Sequence, residues 1–117
     1  MLPAVHRLRR ADDFQRAVRS GQRAGTRLLV VHVLDRAEPG DPVPAQVGFV
    51  VSKGVGTAVV RSAVKRRLRH LVRERLSVLS HGRAYVIRAN PAAATAGYAE
   101  LGADLDRCLA KVKDGRQ

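Results

Sequence analysis

Arg61, Lys65, Arg66, Arg69 and Arg73 carry the chemistry that this sequence advertises. Wound as a helix at roughly 100° per residue, the five cations fall on one side, and Val60, Val64, Leu68 and Leu71 fall on another. Val72 is expected to interrupt the separation, because it projects among the basic residues, and Arg67 projects away from the ridge. At ~1.5 Å rise per residue the five charges span about 18 Å, a spacing suited to successive phosphates and not to a small substrate. Between Thr57 and Arg75 seven Lys/Arg face one acid, Glu74, a net +6 that is half of the chain's +12. Solvated helical faces usually alternate sign, with acids placed to pair with bases. This one does not, so the expected partner is an anionic polymer.

The same inventory offers little for covalent chemistry. Cys108 is the single cysteine, which excludes an intrachain disulfide and any cysteine cluster for zinc. His6, His32, His70 and His81 lack metal-ligand spacing. No acid pair and no Ser-His-Asp set is evident. The isoelectric point near 11.5 again points to an acidic polymer or surface. With only Phe14, Phe49, Tyr85 and Tyr98 as aromatics, the core must be mostly aliphatic, and a single-strand binder built on stacked rings is disfavoured. The start MLPAVHRLRR lacks an apolar signal region, and no apolar run approaches the ~20 residues of a membrane span. A reduced, cytoplasmic protein without a membrane partner is the expectation.

The elements that must hold the basic ridge follow from local pattern. The 117 residues suit one domain, 1–117, with an ordered core over about 7–112, a basic N-terminal segment and a polar C-terminal tail. A short first helix begins near Asp12 and Asp13, which suit its positive end. It places Phe14, Ala17 and Val18 on one face and ends at Gly21. Residues 28–34 (LLVVHVL) and 47–52 (VGFVVS) read as strands, separated by a Pro/Gly/Asp loop over 35–46, and are expected to pair as an antiparallel hairpin. KGVGT over 53–57 is a turn, and Thr57 is the N-cap of the basic helix, which is taken to about Leu79. Residues 84–89 form a third strand, broken at Asn90-Pro91. A last helix over 95–112 has Tyr98, Leu101, Leu105, Leu109 and Val112 on its apolar face. The order α-β-β-α-β-α predicts an α+β sandwich, helices against one sheet.

With the ridge placed behind a Ser-Lys-Gly turn, the run VGFVVSKGVGTAVVRSAVKRRLRHLVRE resembles the signature region of the protein subunit of bacterial ribonuclease P. The matching residues are Gly48, Phe49, Val51, Ser52, Lys53, Ala58, Val59, Arg61, Lys65, Arg66 and Arg69. LRRADDFQRAVRSGQR resembles that family's first helix, and the likeness extends over about residues 7–112. Four positions depart from the family pattern: Ser62 replaces a usual Asn, Gly54 a usual Lys, and Val18 and His32 stand where aromatics are common. The resemblance implies a sandwich of the ribosomal protein S5 domain 2-like type, order α-β-β-(β)-α-β-α, with an extra short strand. It also implies a left-handed βαβ crossover through the basic helix, against the general preference.

For function, the resemblance implies a ribonucleoprotein endoribonuclease that removes the 5′ leader from precursor tRNA. The RNA subunit would be the catalyst, using magnesium; the protein would have no catalytic residue and no metal of its own. Partners would be the ribonuclease P RNA, one protein per RNA, and precursor tRNA. Lys53, Arg61, Ser62, Lys65, Arg66, Arg69 and Arg73 would contact RNA; Ser62 reads equally as a surface serine. Phe14, Val18, His32 and Arg88 would line a leader-binding cleft between the first helix and the sheet. Phe14 reads equally as a core aromatic, and the alternation of its strand leaves His32 facing solvent or RNA. The alternative is a ribosome-associated or other structured-RNA-binding protein with no role in tRNA processing. A DNA-binding helix-turn-helix is disfavoured, because a strand and a glycine turn precede the basic helix.

Overall fold

The computed structural model describes residues 2–8, 15–17, 19, 21–35 and 43–114. Four strands form one sheet: β1 (Gln22–Gly25), β2 (Leu29–Asp35), β3 (Gln46–Val50) and β4 (Arg83–Ala89), in the spatial order β1-β2-β4-β3. Two long helices complete the fold, α1 (Ala58–Arg73) and α2 (Tyr98–Asp114). The expected α+β sandwich is thus observed. Residues 15–17 and 19 are helical, as expected of the first helix, whereas Asp12, Asp13, Phe14 and Val18 lie outside the described residues.

One expectation about pairing is corrected. β2 and β3 do not form a hairpin; β4 lies between them, antiparallel to β2 and parallel to β3. Six of the seven β4 residues are buried, and a strand covered on both faces is best placed at a sheet's centre. A parallel neighbour needs a long crossover, and α1 supplies it between β3 and β4. The extra strand is β1, which pairs with β2 from Gln22↔Val33 to Gly25↔Val30. Its sequence, QRAG, contains no β-branched or aromatic residue, so strand propensity gave no signal.

The two sheet faces carry unequal cores. Leu29, Val31 and Val33 of β2, with Tyr85 and Ile87 of β4, pack with Val64, Leu68 and Leu71 of α1 and Leu101, Leu105, Cys108 and Val112 of α2. The other face has a small cluster of Leu34, Ala84 and Val86 with Leu8 and Ala17. The N-terminal segment takes part in both: Leu2 is buried in the large core and Leu8 in the small one. It also runs along β3, where Leu8 N donates to Val47 O (2.9 Å).

Gly21 sits where the helical residues meet the sheet. A Cβ there would lie 2.0 Å from the Val33 carbonyl oxygen, so close backbone approach demands glycine. The turn into β2 is fastened to α2 by Asp104, whose Oδ2 accepts from Thr26 Oγ1 (2.8 Å) and Leu28 N (3.3 Å).

Three further expectations change. α1 ends at Arg73, not Leu79; Arg75 N donates to Val72 O (2.9 Å), tightening the chain into a short 3-10 turn at Leu76–Val78. Apolar periodicity alone does not register that change of winding. Val72 is buried in the large core and does not stand among the exposed cations. The chain folds back beyond it and Leu79 joins the same core, so this end of α1 is enclosed over a wider arc than its middle. Tyr98 is exposed, its hydroxyl donating to Glu74 Oε1 (3.2 Å), because it stands at the first residue of α2. Leu101, Leu105, Leu109 and Val112 are buried as expected. No helix among the described residues is long and apolar enough to cross a membrane.

Candidate nucleic-acid interface

The ridge begins with a cap. Thr57 adopts extended backbone, and its hydroxyl accepts from Val60 N (3.3 Å), satisfying one orphan donor of the helix start. The buried stripe Val64, Leu68 and Leu71 fixes the rotation of α1 on the core. That rotation decides what faces outward: Ser62, Arg66, Arg69 and Arg73 are exposed, and Arg61 and Lys65 are half-buried. Arg61 is also anchored, since its Nε donates to Gly56 O (3.2 Å). The turn before the helix therefore aims one guanidinium along the ridge. Lys53 is exposed in the same turn, just beyond the end of β3.

Charge is sorted across the molecule. Among the described residues no ion pair engages Arg61, Lys65, Arg66, Arg69 or Arg73. The acids neutralise other cations. Arg75 binds Asp106 (2.6 Å) and Glu74 (3.5 Å), Arg27 binds Glu100 (2.9 Å), and Arg107 binds Asp104 (3.0 Å). The bond to Asp106 holds the Arg75 guanidinium above its ordinary pKa. Glu74, the only acid of the basic stretch, is turned toward Tyr98 and Arg75 and away from the ridge.

Two hollows flank the ridge and share Ala58 and Ser62. One, of about 160 Å³, lies between the end of β3 and the helix, lined by Val51, Ala58, Arg61, Ser62 and Lys65. The other, of about 360 Å³, is shallower and is lined by Ala58, Val59, Ser62, Ala63 and Arg66. Among the described residues no group of three or more His, Cys, Asp or Glu could hold a metal ion.

The second candidate surface is the sheet face opposite the long helices. Phe14 and Val18 lie outside the described residues. Arg88 is exposed there. His32 is on this face too, but it is 3% exposed and not the open ring that strand alternation suggested. Both its ring nitrogens are buried without a hydrogen-bond partner among the described residues. Burial first, then the charges of Arg23 and Arg88, push its pKa below the usual histidine value, so the ring is held neutral. Arg23 stands directly across from His32 on β1 and is exposed. Sequence reasoning missed Arg23, since only the unrecognised β1 brings it to this face. The structure thus gathers Lys53, Arg61, Ser62, Lys65, Arg66, Arg69 and Arg73 on and beside α1, and places His32 and Arg88 on the sheet.

Known proteins match most of the chain. The Ribonuclease P family model matches residues 2–113. A ribonuclease P protein component of a Nocardioides species is 55% identical over 112 residues, covering 96% of this chain and 95% of its own. That of Streptomyces griseus is 54% identical over 120 residues, covering 98% of each. A solved Staphylococcus aureus RNase P protein mutant, described as having defective mRNA degradation activity, is 26% identical with a TM-score of 0.81, over 92% of this chain and 88% of that one.

Proposed function

The chain belongs to the ribonuclease P protein family, and on that premise we propose that the α1 ridge is how it engages the RNA subunit. It is the protein component of ribonuclease P, a subunit of an endoribonuclease. Family membership favours this over a ribosome-associated alternative. The observation that carries the assignment of the site is the set of five α1 cations without an acid partner among the described residues, on a helix whose other face is locked into the core. Such a surface gains from phosphates through counterion release.

In this reading Arg61, Lys65, Arg66, Arg69 and Arg73 contact phosphates of the RNA subunit, and Lys53 extends the footprint to the turn. Ser62 hydrogen-bonds a sugar or phosphate. The sheet face with Arg23, His32 and Arg88 takes the single-stranded leader of precursor tRNA, together with Phe14 and Val18. One protein acts per RNA, in the cytoplasm. Magnesium is held by the RNA: the ridge presents ammonium and guanidinium groups and a hydroxyl, not the carboxylate oxygens that bind this ion. The chain supplies no acid–base group to the reaction. It binds, orients and offsets phosphate repulsion.

The test is cleavage of precursor tRNA by a bacterial ribonuclease P RNA at low magnesium, with and without the protein. The protein is expected to restore cleavage that the RNA alone has lost, and no restoration would refute the proposal. The assay carries an mRNA arm because the Staphylococcus aureus relative is described by such an activity. RNA-free protein is expected to leave both substrates intact; cleavage tracking the protein peak would overturn the division of labour.

A further inference from the structure

Val59 is 80% exposed, more than any other large hydrophobic side chain among the described residues. It lies in the first turn of α1, where a β-branched residue adds nothing to helix propensity. Isolated exposed apolar residues are common and signify nothing by themselves. Val59 is not isolated in this sense. It forms one wall of the hollow of about 360 Å³ whose other walls are Ala58, Ala63, the exposed Ser62 and the exposed Arg66, which no ion pair engages among the described residues.

An apolar shelf, a hydroxyl and a guanidinium around one hollow match the parts of a single ribonucleotide. The C–H face of a ribose and the edge of its base suit Val59 and Ala63. A 2′-hydroxyl is both donor and acceptor, and the Ser62 hydroxyl can complement either role. The phosphate suits Arg66. Among the described residues no acid forms an ion pair with Arg66, and the acids of this region are engaged at Arg75 and on α2.

We propose that the Val59–Ser62–Ala63–Arg66 hollow receives a ribose with its base edge from the RNA partner, and reads that partner as RNA through the 2′-hydroxyl at Ser62. The inference rests on the proposed engagement of RNA by α1 and adds, through Val59, Ser62 and Ala63, a contribution that does not depend on salt. The ridge supplies charge-driven affinity, and the hollow supplies contact and sugar discrimination.

The experiment titrates a bacterial ribonuclease P RNA with wild type, Val59→Ser, Ser62→Ala and Arg66→Gln at several salt concentrations. A short single-stranded RNA and its DNA counterpart serve as competitors. Val59→Ser is expected to weaken binding about 3–10-fold, as for partial loss of one buried valine, with the salt slope unchanged. Arg66→Gln is expected to lower the slope by roughly 0.7–0.9. Ser62→Ala is expected to shrink the competitors' RNA-over-DNA preference seen with wild type. If Val59→Ser titrates as wild type at every salt concentration, the hollow is not occupied. If Ser62→Ala leaves the preference unchanged, the 2′-hydroxyl assignment fails. Wild type that does not bind the RNA at all would sink the underlying reading instead, so the two failures are distinguishable.

Discussion

Arg61, Lys65 and Arg69 offer the sharpest test of the ridge. They stack on a stripe turned away from the buried Val64 and Leu68, and replacing all three with Gln retains helix propensity. Each phosphate contact contributes roughly 0.7–0.9 to the slope of log K against log[salt]. Three contacts therefore account for a slope of about 2.1–2.7. Taking the counterion term as vanishing near 1 M salt, three lost contacts at about 0.15 M weaken binding by roughly 100-fold. The control variant replaces Arg27, Arg107 and Lys111, three exposed cations in the bend before β2 and along α2. It removes the same number of charges from +12. The control loses the exposed Arg27–Glu100 pair and the Arg107 contact of Asp104, which keeps its bonds from Thr26 and Leu28, and at a Debye length of about 8 Å its effect on a distant phosphate should stay under about threefold. Binding titrations against one ribonuclease P RNA, with circular dichroism to confirm folding, decide the matter. Equal losses in the two variants would mean that diffuse charge is read, not an ordered ridge.

Other consequences concern the scaffold. Gly21→Ala should destabilise the protein by on the order of 3 kcal/mol, read as a lower urea midpoint, because the new methyl group meets the Val33 carbonyl; an unchanged midpoint would contradict that close approach. Thr57→Ala should cost about 1 kcal/mol through the lost N-cap, and Thr57→Ser should recover most of it. His32 has a folded pKa below its unfolded value, so the unfolded chain takes up a proton first. Stability from neutral His32 is complete above the unfolded pKa, near 6.5, and is lost as pH falls through the lower folded value. Denaturation between pH 7 and 5 should show this loss in wild type and lack it in His32→Leu; parallel curves would refute the assignment.

The sequence disclosed the ridge because its signal is local. Sixteen consecutive residues carry charge and apolar side chains at a single period, with Thr57 as a visible start. The strands of β2, β3 and β4 were legible for the same reason, since LVV, VGFV and YVI are β-rich runs. Pairing was not legible. Whether β3 joins β2 or β4 depends on which strand is buried on both faces, and that emerges only when Ile87 and Val86 are both found covered. β1 escaped because its four residues lack strand propensity and gain order only from pairing to β2. His32 occupies the expected face but was read as open, because alternation predicts which face a residue occupies and not whether anything covers that face. Val59 was read as a match to a family motif and never as an exposed surface, because solvent exposure at a helix's first turn depends on where the rest of the chain lies.

Holding five like charges along about 18 Å of helix opposes folding, and the structure contains the forces that outweigh it. Val64 and Leu68 are completely buried and Leu71 almost so; at about 1.5–3 kcal/mol for each large apolar side chain, the stripe fixes α1 whether or not the ridge is neutralised. Acids on the ridge would have relieved the repulsion more simply. Instead Glu74, Glu100, Asp104 and Asp106 are engaged with Arg75, Arg27 and Arg107, which leaves the repulsion intact on one side only. A phosphate backbone relieves it without any rearrangement of α1. The hydrophobic face thus does more than stabilise the domain: it preorganises an array of cations that a phosphate backbone would meet without first breaking any ion pair among the described residues.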